Sequence, residues 1–251
     1  MKLKKITDNI KFGTNILDIA VPEHLKKKFA CGLDYVDGAM GGEGFTPSAV
    51  TLFTGTPGAG KTTLMLSMAD SFTSKGAMVL FNTAEESLYQ TAMTAQRLRL
   101  THGFQAGNSA DISEIMENAK KMQKVAAKNG QQFVIIIDSL QCLDDGKYSS
   151  GTITNGTAIR CLQEITDFCK ETGAIGLVIN QVNKSGKMSG SNKLKHMVDS
   201  HMHLSIEEKD EDFKGCRILE TQKNRFGGCG HMYYLALRKT GFREVAKVED
   251  F

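Results

Sequence analysis

The stretch LFTGTPGAGKTTLM, Leu52 to Met65, constrains this chain more than any other part of it. Gly55-Thr56-Pro57-Gly58-Ala59-Gly60-Lys61-Thr62, followed by Thr63, fits the spacing GxxxxGK[ST] in full. Glycines without a Cβ let the backbone wrap so tightly that successive N–H groups converge on one anionic point. The run Ala49–Gly55 before the loop reads as a strand, and Met65, Met68, Ala69 and Phe72 after it fall at i, i+3, i+4 and i+7, one face of a helix. A helix that starts near Lys61 turns its positive end towards the same point. In that context the motif is a triphosphate cradle. Lys61 is placed to reach the β- and γ-phosphates and Thr62 to ligate Mg²⁺, so ATP and Mg²⁺ are the expected cofactors.

The remaining apolar runs extend this unit into a layered fold. Ala77–Thr83, Phe133–Ser139 and Ala174–Gln181 are apolar on both faces, which suits strands covered on both sides in a parallel sheet. Ile112, Ile115, Met116, Ala119 and Met122 have helical spacing, as do Ala158, Leu162, Ile165 and Cys169. Strand, helix, strand, helix is the order of an α/β fold, a mainly parallel sheet flanked by helices. After about Val198 shorter alternating runs, CRILET and HMYYLAL, predict an antiparallel C-terminal extension. The division expected is an irregular N-terminal cap over residues 1–45 and one core over residues 46–251.

Three further phrases supply chemistry at the carboxyl ends of those strands, where the loop after Gly55 also opens. Asp138 ends the run FVIIID and is placed to hold the Mg²⁺ shell through water. Glu85 and Glu86 follow the next strand in FNTAEES; Glu85 leaves the strand directly and is the expected general base for an attacking water, with Glu86 assigned to the first turn of the next helix. Gln181, in VINQV, is placed to sense the γ-phosphate, against the plainer reading of a buried amide that satisfies backbone.

Together these phrases resemble the core of the RecA superfamily. LKHMVDS (Leu194–Ser200) and TQKNRFGG (Thr221–Gly228) look like the HMVD and KNRFG signatures of the RadA (Sms) branch of bacterial DNA repair ATPases, a resemblance that spans roughly residues 32–245. It implies a RecA-like P-loop NTPase core, acting as an oligomeric, DNA-stimulated ATPase on single-stranded DNA in recombination or repair, with helicase or branch-migration activity. By the same resemblance Lys223 and Arg225 reach the γ-phosphate held by a neighbouring subunit, completing a closed ring, a hexamer. Cations fixed at a transferring phosphoryl group are worth roughly 10³–10⁵ in rate for arginine fingers generally, so the residue types suit the role. RadA proteins of the usual form also carry a four-cysteine zinc module and a protease-like ring domain; only the ATPase core is read here.

The family places single-stranded DNA on the two loops that follow the Asp138 and Gln181 strands. The second carries Lys184, Lys187, Lys193 and Lys195 with no acid before Asp199; the first offers Tyr148 as a stacking surface. Recombination or replication proteins are the further partners implied. Two other readings stay open: a RecA-like recombinase or annealing protein that uses ATP as a switch, and a KaiC-like signalling ATPase with no nucleic acid.

Composition narrows the setting. A formal charge of +3 does not by itself argue for nucleic acid, so any basic footprint is local. No run approaches the roughly 18 apolar residues of a membrane span, and MKLKKITDNIKFG has lysines but no apolar run after them, so neither a membrane partner nor a secretory signal is expected. Six cysteines without a CxxC pair predict reduced thiols and a cytoplasmic protein. His201-x-His203 puts two imidazoles on one strand face, read as a packed pair rather than a metal site.

Overall fold

A computed structural model describes residues 10–148, 153–181 and 193–248. Among them are strands β1 (Val50–Gly55), β2 (Met78–Thr83), β3 (Gln105–Gly107), β4 (Phe133–Asp138), β5 (Ile175–Gln181), β6 (Ser200–Ile206), β7 (Arg217–Asn224), β8 (Met232–Arg238) and β9 (Gly241–Val248). Helices are α1 (Glu23–Lys26), α2 (Asp34–Ala39), α3 (Lys61–Ser74), α4 (Leu88–Leu98), α5 (Ile112–Lys128), α6 (Asn155–Thr172) and α7 (Lys193–Met197). The strands form one sheet in the order β3-β2-β4-β5-β1-β6-β7-β8-β9.

The fold is mixed α/β, and its parallel part runs from β3 to β6. Although β6 begins beyond Val198, it still runs parallel to β1; the antiparallel extension is β7, β8 and β9. Residues of period two divide between the two faces of the sheet. Phe53, Phe81, Ile136, Ile179 and Met202 pack against Leu64, Met68 and Phe72 of α3. Leu52, Leu80, Ile135, Ile137 and Val178 pack against Ile115 and Ala119 of α5 and Leu162, Ile165 and Cys169 of α6. Full burial of such side chains stabilises by about 1.5–3 kcal/mol each, so the central strands hold the site on a rigid frame.

Local signals end the helices where the site needs them to. Ser87 and Gln90 form a capping box at the start of α4. Thr154 accepts from Thr157 N at the start of α6, and Gly173 closes that helix with φ 76°. In the N-terminal region, Phe29 and Phe45 pair backbone to backbone and both rings lie against Phe72. Cys31, Val36, Ala39 and Met40 join the same core, whereas Phe12, Ile16 and Leu17 are exposed.

Candidate active site

The turn from β1 into α3 is built for close backbone approach. A Cβ on Gly55 would lie 2.3 Å from the Leu204 carbonyl oxygen of β6, so only glycine lets the two strands meet there. Gly60 holds φ 101°, a left-handed geometry costly for any other residue, and a Cβ there would sit 2.8 Å from the Phe242 ring. Between them Pro57 and Gly58 are exposed, so the cradle faces outward. Lys61 curls back over it, its Nζ donating to Gly55 O at 2.9 Å and Thr56 O at 3.1 Å. Burial lowers the Lys61 pKa, while the Asp138 and Glu85 carboxylates work the other way.

Thr62 Oγ1 donates to Asp138 Oδ2 at 2.6 Å. Burial pushes Asp138 up to about 6; the Thr62 bond opposes this, Glu85 and Glu86 add to it, and Lys61 opposes it. Two converging oxygens beside the helix start fit a hard divalent cation. The cradle fits phosphate by the same reasoning, since Thr56 Oγ1 is buried there with no hydrogen-bond partner.

Register brings the acids to one edge: Thr83 pairs with Asp138, and Gly55 with Gln181. Glu85 emerges just past β2, and its carboxylate accepts from Gln181 Nε2 at 3.0 and 2.8 Å and from Ser139 Oγ at 3.4 Å. Gln141 Nε2 in turn donates to Gln181 O at 3.0 Å. Ser139 and Gln141 carry no sequence signal of their own beyond following Asp138, and sequence reasoning missed both. Glu86 differs from expectation: it precedes the Ser87 cap, its N–H donating to Thr83 Oγ1 at 3.0 Å, and the first turn of α4 holds no acid. Gln181 Nε2 thus fixes the direction of the Glu85 carboxylate at this edge.

Beside β1, Thr54 Oγ1 lies 2.7 Å from His201 Nε2 and 2.8 Å from His203 Nδ1, joining the cradle strand to β6. Burial drives the His201 pKa down to about 3, helped by the charges of Lys195, His203 and Lys223, so the imidazole is neutral.

The remaining cations lie elsewhere. Lys223 pairs across the ladder with His201, and His201 with Leu52. Arg225 N donates to Asp199 O, and Asp199 N donates to Val50 O, so Arg225 sits level with the first residue of β1. At ~3.3 Å per residue that is about 16 Å along the strand from Gly55, beyond the span of its side chain. Neither cation is brought to the cradle of its own chain. Lys193 is exposed on α7 and Lys195 is half-buried. Tyr148, 41% exposed, faces the Arg160 guanidinium at 5.7 Å. Lys184 and Lys187 fall outside the described residues.

Comparison with known proteins agrees with this geometry. The family model described as "ATPase: KaiC" matches residues 29–234. A protein named DNA repair protein RadA from Aquifex aeolicus is 30% identical over 220 residues, covering 88% of this chain and 47% of that protein. RadA of Rickettsia bellii is 32% identical over 220 residues, covering 86% and 46%, and RadA of Salmonella typhimurium 30% over 219, covering 87% and 45%. The chain thus spans about half the length of these relatives. The glycine turn between β1 and α3 suits a P-loop ATPase, and the chain belongs to the KaiC family of ATPases, with RadA proteins among its relatives.

Proposed function

We propose that the protein is an oligomeric ATPase whose nucleotide sites are shared between adjacent copies, and that single-stranded DNA stimulates it in recombination or repair. The observation that carries the shared site is the position of Arg225. It stands at the opposite end of β1 from Gly55, with its side chain 51% exposed, which supports a role at the triphosphate of another copy rather than its own. Within one chain, Lys61 and the loop backbone bind the triphosphate, Glu85 takes a proton from the attacking water, and Gln181 aims it. Thr62 and Asp138 would hold Mg²⁺, which would supply positive charge to the phosphate oxygens. Arg225, with Lys223 beside it, supplies the positive charge that the open cradle lacks. The DNA partner rests on the names of the RadA relatives and on exposed lysine at α7; branch migration and a hexameric ring are the finer form of the same reading.

The test joins two measurements: ATP turnover with and without single-stranded DNA, and oligomeric mass by light scattering. Stimulated turnover in a species of several subunits supports the proposal. A monomer that turns over at full rate, indifferent to polynucleotide, overturns it. The KaiC family description favours a second reading, a signalling ATPase without nucleic acid, and an oligomer unstimulated at low salt selects that one.

A further inference from the structure

LKHMVDS and TQKNRFGG, far apart in sequence, fold into one joint. The end of α7 leaves carbonyl oxygens with no helical partner. Lys223 Nζ donates to one of them, Lys195 O, at 2.8 Å, and to Val198 O just past the helix at 2.7 Å. Arg225 Nη2 donates to another carbonyl of α7, His196 O, at 3.4 Å, and its own N–H donates to Asp199 O at 3.0 Å. Asn224 Nδ2 closes the turn from the other side through Met40 O and Gly228 O, each at 3.1 Å.

Asp199 is the pivot of this joint. It is 3% exposed, and its backbone N–H donates to Val50 O. Its carboxylate is divided between two duties: Oδ2 accepts from Val50 N at 3.1 Å, and Oδ1 lies 3.5 Å from Arg225 Nη1. A buried charge thus links the rigid start of β1 to a guanidinium that is half in solvent. A free arginine side chain loses rotamer entropy when it reaches a partner. A carboxylate that already limits its rotamers removes part of that cost and fixes its direction before any neighbour arrives.

We propose that Asp199 is a positioning residue for Arg225, holding that cation at the subunit edge in the direction of the adjacent copy's triphosphate. The inference rests on the shared-site reading. It assigns the first of the two phrases a role in the same chemistry as the second, although Asp199 itself touches no nucleotide.

Subunit mixing tests it. Asp199→Asn keeps an oxygen for Val50 N–H and removes the charge facing Arg225. Expected for Asp199→Asn alone is a kcat at least tenfold lower with the KM for ATP within about twofold. Mixed with Lys61→Ala it regains turnover, because the Lys61→Ala copies lend intact Arg225 to cradles that still bind ATP. Mixed with Arg225→Ala it regains nothing, since both lack the same half-site. Unchanged turnover in Asp199→Asn, or loss that Lys61→Ala subunits do not relieve, overturns the proposal; if Arg225→Ala is still relieved by Lys61→Ala, the shared site itself stands. If Arg225→Ala alone is fully active, the shared site falls as well. Should Asp199→Asn lose its cooperative unfolding transition, Asp199→Ser, with an oxygen for Val50 N–H, is read the same way; failure of both to fold makes Asp199 a folding residue and ends the proposal.

Discussion

Thr62 Oγ1 and Asp138 Oδ2 stand 2.6 Å apart although 76 positions separate them in the chain. One begins α3 and the other ends β4, and the sheet brings helix start and strand end to a common edge. Burial holds the Asp138 carboxyl up to about 6, while the Thr62 hydrogen bond opposes that shift. These two oxygens are the pair that the proposed Mg²⁺ site would use.

Removing either oxygen therefore weakens hydrolysis through the metal. Asp138→Asn and Thr62→Ala are each expected to lower turnover by about 10²–10³, the scale of losing one fixed electrostatic group. Phosphate release measured across a Mg²⁺ titration checks this; a variant that saturates at wild-type rate and Mg²⁺ concentration contradicts the assignment.

Glu85→Gln separates chemistry from binding. Loss of a general base costs roughly 10²–10⁴ in rate, while the cradle and Lys61 are untouched, so ATP affinity is expected to remain within a few-fold. Gln181→Ala, which frees the Glu85 carboxylate from its 2.8 Å donor, is expected to fall between wild type and Glu85→Gln. Single-turnover hydrolysis beside equilibrium ATP binding decides it, and equal loss of both properties points to a structural role.

Gly60→Ala asks the cradle to accept a Cβ in left-handed backbone 2.8 Å from Phe242. The backbone alone costs about 1–2 kcal/mol, and the aromatic contact adds to it. Urea midpoints are expected to drop accordingly, with ATP binding lost at the same time. Gly58→Ala, which meets nothing within 4 Å, carries only the backbone share at φ 76°. Equal stability of the two variants refutes the steric argument.

The His201 imidazole makes stability depend on acid. Its folded pKa is depressed to about 3 from 6.5, so its contribution is complete above 6.5 and is lost as pH falls from there towards 3. Between pH 7 and pH 5 this one group accounts for about 2 kcal/mol. His201→Gln, with an amide to meet Thr54, is expected to flatten that part of the profile, read as unfolding free energy at the two pH values. An unaltered slope contradicts the prediction.

Lys193 and Lys195 share α7 but not its exposure. Lys193→Ala is expected to reduce the salt slope of single-strand binding by ~0.7, the share of one phosphate contact. Lys195→Ala, whose side chain is half-buried on the side of His201, is expected to change it much less. Fluorescence anisotropy over a salt series distinguishes them, and equal slopes for both variants remove α7 from the interface.

Much of this was written in local patterns. The glycine spacing, the helix face after Lys61 and the apolar runs at 49–55, 77–83, 133–139 and 174–181 all lie within a few residues of the observed elements, because each depends on neighbours in the chain. Ending one apolar strand, or following another by two residues, was enough to bring Asp138 and Glu85 to the same edge of the sheet. β3 was not legible: Gln105–Gly107 is three residues of mostly exposed backbone that pair because β2 is already there. Nor was the reach of Gln181 to Glu85 and of Ser139 to the same carboxylate, which depends on strand order rather than on any residue's type.

The sequence by itself determined that a strand, a glycine turn and a helix would hold a triphosphate, since that geometry follows from short-range sterics and hydrogen bonding. Only the tertiary structure decided which way the cations at the end of β7, Lys223 and Arg225, would face. Antiparallel pairing sends the end of β7 to the start of β1, away from its own cradle. Direction along a sheet is a property of how strands pair, and no single strand carries it.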